Sequence, residues 1–364
     1  MPQSDFLPFA TQPGANVVSQ PNFAADPSTG AGFSAGIALS AKLNKVWRQS
    51  SFVSAGLVQL MMQLLNQDIL DDGDLAGFTT KLQAALIALR PRITLMGPTN
   101  YYVNATTGSD SNTGATPSTA WQTLQHACDW LLENVDANGQ AITVNVADGT
   151  YAPVHITAEM LGSAGITFTG NTANPTNCVI SAQNNSCFWV SAGNVILQGF
   201  YLTAIGNTGA WQGFGIVATD NGRCHWLACN FGPCDVAHVM AAYGGGAGPI
   251  GSYTISGAAP IHCRVSSLGS GGIGGSTVST ISIIGTPHFS TAFTYVDQLG
   301  FYFLNAAAFV FAGGATGPRH FVGHNALLTL PNGSLTYFPG DTAGTPNAVD
   351  VPSATGGIFS LGPP

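Results

Sequence analysis

Between residues 150 and 320 the acidic side chains are Glu159, Asp220, Asp235 and Asp297, and this scarcity bounds the chemistry of the chain. Cleaving a glycosidic bond takes two carboxyl groups, one as acid and one as base or nucleophile, about 5 to 10 Å apart. Asp220 and Asp235 form the best pair. They stand where a solenoid would place them on neighbouring sides. Yet Asp220-Asn221-Gly222 and Gly232-Pro233-Cys234-Asp235 both read as tight turns, and Asp297 leads into Gln298-Leu299-Gly300 in the same way. Turn chemistry accounts for all three without catalysis. His225, His238, His262, His288, His320 and His324 suit polar contacts within or between subunits better than proton transfer. Trp189, Trp211, Trp226 and Tyr243 offer flat apolar ring faces on which a sugar could stack. Of these, Trp211, Trp226 and Tyr243 are the candidate ligand contacts, with core or subunit-interface packing as the alternative role.

Other chemistries lack support. There is no Gly-x-Ser-x-Gly elbow. The glycine-rich stretches Gly244 to Gly248 and Gly269 to Gly275 do not run into Lys-Ser or Lys-Thr, so they are corners rather than phosphate loops. The seven cysteines (128, 178, 187, 224, 229, 234 and 263) include no CxxC clip. Joining Cys224, Cys229 and Cys234 with His225 and His238 gives no common zinc spacing. Buried free thiols acting as small hydrophobes explain them better. No metal and no cofactor is expected.

Composition narrows the class. Charged residues are 7% of the 364, against about 25% in ordinary soluble domains. Hydrophobic residues are 45%, so the chain is not disordered. Its net charge is −8, and beyond residue 100 the only cations are Arg223, Arg264 and Arg319. No basic stripe for nucleic acid can be built from them. The most apolar run, Phe52 to Leu65, is interrupted by Ser54, Gln59 and Gln63 and is too short to cross a bilayer. No basic-then-apolar leader opens the sequence, so reduced thiols and assembly in a bacterial cytoplasm are expected.

The elements that must position these side chains are short strands. Tyr101 to Val103 begins a strand, Thr106 to Thr119 is turn or loop, and Ala120 to Leu132 is helical with Leu124, Ala127, Cys128 and Leu131 on one face. Strands then recur, among them Ala141 to Ala147, Ile166 to Gly170, Asn194 to Thr203, Gly213 to Ala218 and Cys224 to Phe231. Several are apolar on both faces, as in a stacked solenoid, and they repeat every 20 to 30 residues or so. The words Gly108-Ser109-Asp110, Asn112, Gly114, Thr116-Pro117 and Ala120-Trp121 resemble the entry of right-handed parallel β-helix proteins of the pectate-lyase-like superfamily. There a polar loop and a short helix cap the first coil. The resemblance implies a mainly β chain with a β-helix body over 101–330, a capping helix at about 120–132 and a C-terminal cap or tip over 331–364.

The first hundred residues differ. Residues 1–32 lack periodicity and read as an extended arm. Residues 33–95 are helical: apolar periodicity runs from Phe33 to Leu65, and a second helix from Leu75 to Leu89 is capped by Asp74 and stopped at Arg90-Pro91-Arg92. The words Asp5-Phe6-Leu7-Pro8-Phe9-Ala10, Leu43-Asn44-Lys45-Val46-Trp47-Arg48-Gln49 and Asp68-Ile69-Leu70-Asp71-Asp72-Gly73 resemble the N-terminal region of bacteriophage tail-fibre and tailspike proteins. That resemblance implies a virion tail subunit, docked on the tail or baseplate by residues 1–95. It also implies a homotrimeric β-helix presented for host-surface adsorption or for mounting another fibre. The alternative it leaves open is a tailspike that depolymerises host polysaccharide.

Overall fold

The computed structural model describes residues 2–33, 35–37, 39–89, 92–162, 165–273, 279–304, 309–330, 334–345 and 358–361. The chain divides into two compact units, Met1–Pro91 and Arg92–Pro364. The far end of the glycine-rich stretch at Gly269 to Gly275, and much of the segment 331–364, lie outside the described residues.

The second unit is a parallel β-helix. Its strands form one ten-stranded and two seven-stranded sheets, each with its strands in sequence order, and a two-stranded sheet of Ile93–Thr94 with Val135–Asp136, all pairs parallel. We number the three larger sheets 1, 2 and 3 in the order the chain visits them within a coil. The coil Asn194–Gln198, Tyr201–Ile205, Phe214–Ala218 is typical, and the next is Arg223–Leu227, Asn230–Cys234, Ala237–Ala241. A coil consumes 23 residues from Arg223 to its partner Gly246 and 31 from Ser270 to Phe301, so the repeat is irregular in length, and the register shifts once on sheet 2, between Leu202 and Ala204 where they face Phe231 and Cys234. The apparent single strand over Asn194 to Thr203 is two strands, because the chain turns the corner at Gly199-Phe200.

The bore holds one continuous apolar core, from Tyr101 and Trp121 at the first coil to Leu328 and Phe338 at the other end. All seven cysteines are free and buried. Burial pushes the thiols of Cys229, Cys234 and Cys263 up to about 12, which leaves them unreactive. Among the described residues no group of three His, Cys, Asp or Glu side chains could hold a metal ion.

The entry block closes the first coil. Strand Thr99–Val103 pairs with Ile142–Val146, and helix Leu124–Asn134 buries Leu124, Ala127, Cys128 and Leu131 over the open end. Asp110 accepts from the backbone N–H groups of Gln122 and Thr123 and from the Thr123 hydroxyl. The Trp121 indole donates to the Asn112 carbonyl. Gly114 has φ +67, and a Cβ there would lie 2.5 Å from the Trp121 ring, so only glycine fits. The helix starts four residues later than the expected 120, because Thr123 is its N-cap, accepting from His126 N–H.

Polar side chains also enter the bore. On sheet 3, His238, His262 and Phe293 are buried and pack with the bore rings Phe231 and Phe289. His238 Nδ1 and His262 Nδ1 are 2.9 Å apart, and the Tyr253 hydroxyl lies 2.9 Å from His262 Nε2. One Nδ1 of the histidine pair must donate and the other accept, so the two rings cannot both be protonated. Burial pushes His238 down to about 3. Burial, and then the neighbouring His238, hold His262 well below the usual range.

In the first unit, helix Ser40–Leu65 packs against helix Leu75–Ala88 around Val58, Met61, Ile69 and Ala85. Asp74 caps the second by accepting from Gly77 N–H at 3.0 Å. The helical pattern expected from Phe33 begins only at Ser40, since Gly36 adopts φ +146 and Ile37 is exposed. The arm is not free: it carries short helices at Gln20–Ala24 and Ser28–Ala31, Phe6 packs on Phe78, and Phe9 packs on Trp47. Among the described residues no helix is long and apolar enough to cross a membrane.

The buried histidines predict acid sensitivity. Their folded pKa values lie below the unfolded value of about 6.5, so their stability contribution is intact above that pH and is lost as pH falls toward 3. At pH 5 the loss from His238 alone is about 2 kcal/mol, with His262 adding in the same direction. Urea unfolding followed by far-UV circular dichroism should show a lower midpoint at pH 5 than at pH 7, and an unchanged midpoint would contradict the neutral pair.

Candidate functional site on the outer face of sheet 3

Parallel in-register pairing repeats every outward position directly above its predecessor. On sheet 3 the central outward residues are His155, Trp189, Val217, Met240, Arg264, Tyr295 and Phe321, each paired with the next. At about 4.8 Å per strand this ladder runs about 29 Å along the body. It is rich in aromatic rings, and it divides into an aromatic half and a charged half.

In the aromatic half the His155 ring stacks on Trp189 with centroids 4.0 Å apart and planes at 11°. His155 Nε2 lies 3.1 Å from the Ser191 hydroxyl, and the Trp189 indole donates to the Thr219 hydroxyl at 2.9 Å. Trp211 arrives from the loop between Ile205 and Phe214 and meets Trp189 at 6.0 Å and Tyr243 at 5.6 Å. The Ser186 hydroxyl donates to the Trp211 carbonyl at 2.6 Å, which fixes the loop. Beneath lie Phe214, Val217, Ala237, Met240 and Ile261, a second apolar cluster outside the bore, with Trp189 and Trp211 packed over it. Trp211 has φ +61 and Tyr243 φ +51, left-handed conformations that cost about 1–2 kcal/mol for a residue with a Cβ. Tyr243 is 55% exposed. The two left-handed residues thus bring a half-buried and an exposed aromatic ring together at the edge of the ladder.

In the charged half, Arg264 lays its guanidinium over the Tyr295 ring, 5.4 Å from the centroid, and Tyr295 stacks on Phe321 at 4.5 Å and 12°. Arg264 Nη2 is 4.0 Å from Asp297 Oδ2. Asp297 is 3% exposed, its Oδ1 has no hydrogen-bond partner, and neither has Arg264 Nε. Burial raises the Asp297 carboxyl above the usual range, and Arg264, His324 and Tyr295 only partly offset it.

The expected candidates fall in several places. Trp226 is 1% exposed inside the bore, against Phe231 and Tyr253, so it is core and not a ligand contact. It sits on sheet 1, where alternation turns it inward alongside Cys224. Trp211 and Tyr243 come together as described. Asp220 and Asp235 do not pair: Asp220 lies at the corner from sheet 3 to sheet 1 and Asp235 at the corner from sheet 2 to sheet 3. Asp235 accepts from Gly206 N–H, a turn contact. Asp220, with φ +51, belongs to a stack of five turns with two left-handed residues each: Asp220-Asn221, Tyr243-Gly244, Ser267-Leu268, Gln298-Leu299 and His324-Asn325. Each turn closes by a backbone bond such as Gly222 N–H to Thr219 O and Gly245 N–H to Ala242 O. Asp220 does line an open concavity with Glu159, Asn221 and Arg223. Among the histidines, His238 and His262 are bore residues, His225 approaches the Gly248 carbonyl at 3.3 Å, and His288 bonds the Thr316 hydroxyl at 2.9 Å. Asp297 is the residue whose turn context misled: it opens a turn, but its side chain points under Arg264. Arg264 and Tyr295 carried no motif, and only the coil register brings them together.

The chain is thus a parallel β-helix protein with a helical first unit and an aromatic, partly charged outer face. No protein-family model, curated protein or solved structure matches it.

The Asp297 carboxyl predicts a measurable conflict with stability. Its folded pKa is raised, so its ionised form costs stability at neutral pH, and that cost vanishes as pH falls below the unfolded value of about 3.9. Asp297→Asn should therefore raise the thermal midpoint at pH 7 and give no gain in strong acid. A lower midpoint at pH 7 would show that the Arg264 pairing outweighs the burial.

Proposed function

We propose that this chain is a structural subunit of a bacteriophage (or prophage) tail fibre or spike, anchored by its first unit and binding host-surface glycan along the outer face of sheet 3. It would belong to the pectate-lyase-like β-helices, reside in the virion tail and assemble in the bacterial cytoplasm. The observation that carries the binding role is the Trp189–Trp211–Tyr243 group, whose rings are held at fixed angles on a dry support. Rigid aromatic rings with one apolar face bind pyranose faces at little cost in conformational entropy. The tail assignment rests on the N-terminal words, among them Asn44 to Gln49, and on the need for a partner. Val53, Leu57 and Leu60 form an exposed apolar stripe on helix Ser40–Leu65, beside exposed Phe52 and Trp47. Such a stripe suits a homotrimer or a seat on a neighbouring tail protein.

A specific observation favours a second reading, a polysaccharide depolymerase. Glu159 and Asp220 share one concavity with Arg223, two carboxyl groups where an acid and a base would be required. Against it, the outer ladder of sheet 3 carries no carboxyl group, Asp297 just beyond it is 3% exposed, and Asp220 is already explained by its turn.

Titrating the protein with capsule or lipopolysaccharide fragments from a susceptible host tests the binding role. Trp211→Ala should weaken binding about tenfold or more, as loss of a central aromatic anchor does, and leave the fold intact. No new reducing ends should form. Cleavage abolished by Glu159→Gln or Asp220→Asn would establish the depolymerase instead.

Light scattering on the intact chain should give a trimer, and Val53→Glu with Leu57→Glu should shift it toward monomer. A monomeric wild-type chain at micromolar concentration would remove the oligomeric part of the proposal.

A further inference from the structure

We infer that Arg264, backed by Asp297 and Tyr295, is a subsite for the carboxylate of an acidic sugar, so that the glycan bound on sheet 3 is a carboxylated one. This rests on the glycan-binding role proposed above and names the class of ligand within it. Arg264 follows Met240 on the outward ladder, one strand beyond the level of Tyr243. A sugar chain lying across Trp211 and Tyr243 and continuing along the ladder meets Arg264 next, within the length of about one or two strand spacings.

Its guanidinium is positioned but not used up. It lies over Tyr295, 5.4 Å from the ring centroid, and its ion-pair contact, with Asp297 Oδ2, is a long one at 4.0 Å. The Arg264 side chain is 31% exposed, whereas that of Asp297 is 5% exposed, so of the two charged groups the arginine is the one an arriving ligand can reach. Arginine carries five donors in a planar fork that matches a carboxylate by two parallel bonds. Asp297 is therefore a positioning residue: it holds the fork from below, and the ligand takes the outer edge. Charge complementarity adds weight, because Arg264 is the lone cation on a ladder of His155, Trp189, Val217, Met240, Tyr295 and Phe321, in a body with few others.

The test compares one polymer in two forms, polyglucuronate and its carboxyl-reduced neutral counterpart, against the intact chain by calorimetry. Wild type should bind the carboxylated form about tenfold more tightly, the worth of one charge-assisted pair. That margin should shrink as salt is raised. Arg264→Gln should abolish the preference and keep affinity for the neutral form, Arg264→Lys should retain part of it, and Trp211→Ala should weaken both. Equal affinity of wild type for the two polymers, or a preference that survives Arg264→Gln, overturns this inference and leaves the glycan-binding role standing. Binding of neither polymer overturns both. Circular dichroism of each variant, together with the salt response of the wild type, separates loss of the subsite from loss of the fold.

Discussion

Parallel pairing in register, shifted only locally at Leu202–Ala204 among the described pairs, is the constraint on which the body depends. Each strand bonds to the one a full coil earlier and the one a full coil later, so an inward residue must sit above an inward residue through every sheet. The bore is then filled level by level, by Phe168 and Phe188, by Trp226 and Phe231, and by Phe289 and Phe293. A polar residue admitted to the bore must find its partner one level away. His238 and His262 do so from adjacent strands of sheet 3, and Tyr253 completes the chain from sheet 2.

The same register operates at the corners. Five successive turns from sheet 3 to sheet 1 repeat one backbone conformation, with two left-handed residues in each. Adjacent turns bond to each other, Tyr243 N–H to Ser267 O, Leu268 N–H to Gln298 O and Leu299 N–H to His324 O. These bonds hold even Leu268 and Leu299 in conformations that leucine disfavours. A residue such as Asp220 is thus recruited for turn geometry, and Tyr243 gains a fixed direction from the turn that strains it.

On the outside, register converts seven unrelated side chains into one surface. Outward residues of a solenoid are ordinarily wetted, yet Val217 and Met240 are buried, because Trp211 folds back over them. Next to this aromatic group, Asp297 is buried beside Arg264, and burial raises its carboxyl above the usual range. A buried carboxyl with an unpartnered oxygen is the kind of local conflict that functional sites carry.

How much of this was legible in the sequence varies from residue to residue. The strands, the polar entry loop, the capping helix face of Leu124, Ala127, Cys128 and Leu131, and the Asp74 cap all follow from local pattern, because each is decided by neighbours a few residues apart. The burial of the cysteines follows from their chemistry. Trp211 and Tyr243 could be named as exposed rings but not as a pair, and Trp226 could not be told from them. One residue of phase along a strand sends a tryptophan inward or outward, and that phase is set by the coil above and below. The words AHVMA, IHCRV and AFTYV hold the outward Met240, Arg264 and Tyr295 at one common place, but coils of 23 to 31 residues hide the alignment from a fixed-period search. The sequence by itself determined that this chain builds a strand solenoid poor in charge. Only the tertiary structure decided which of its scattered aromatic and charged residues share a face, since contacts between residues a full coil apart are made by sheet register and leave no local trace.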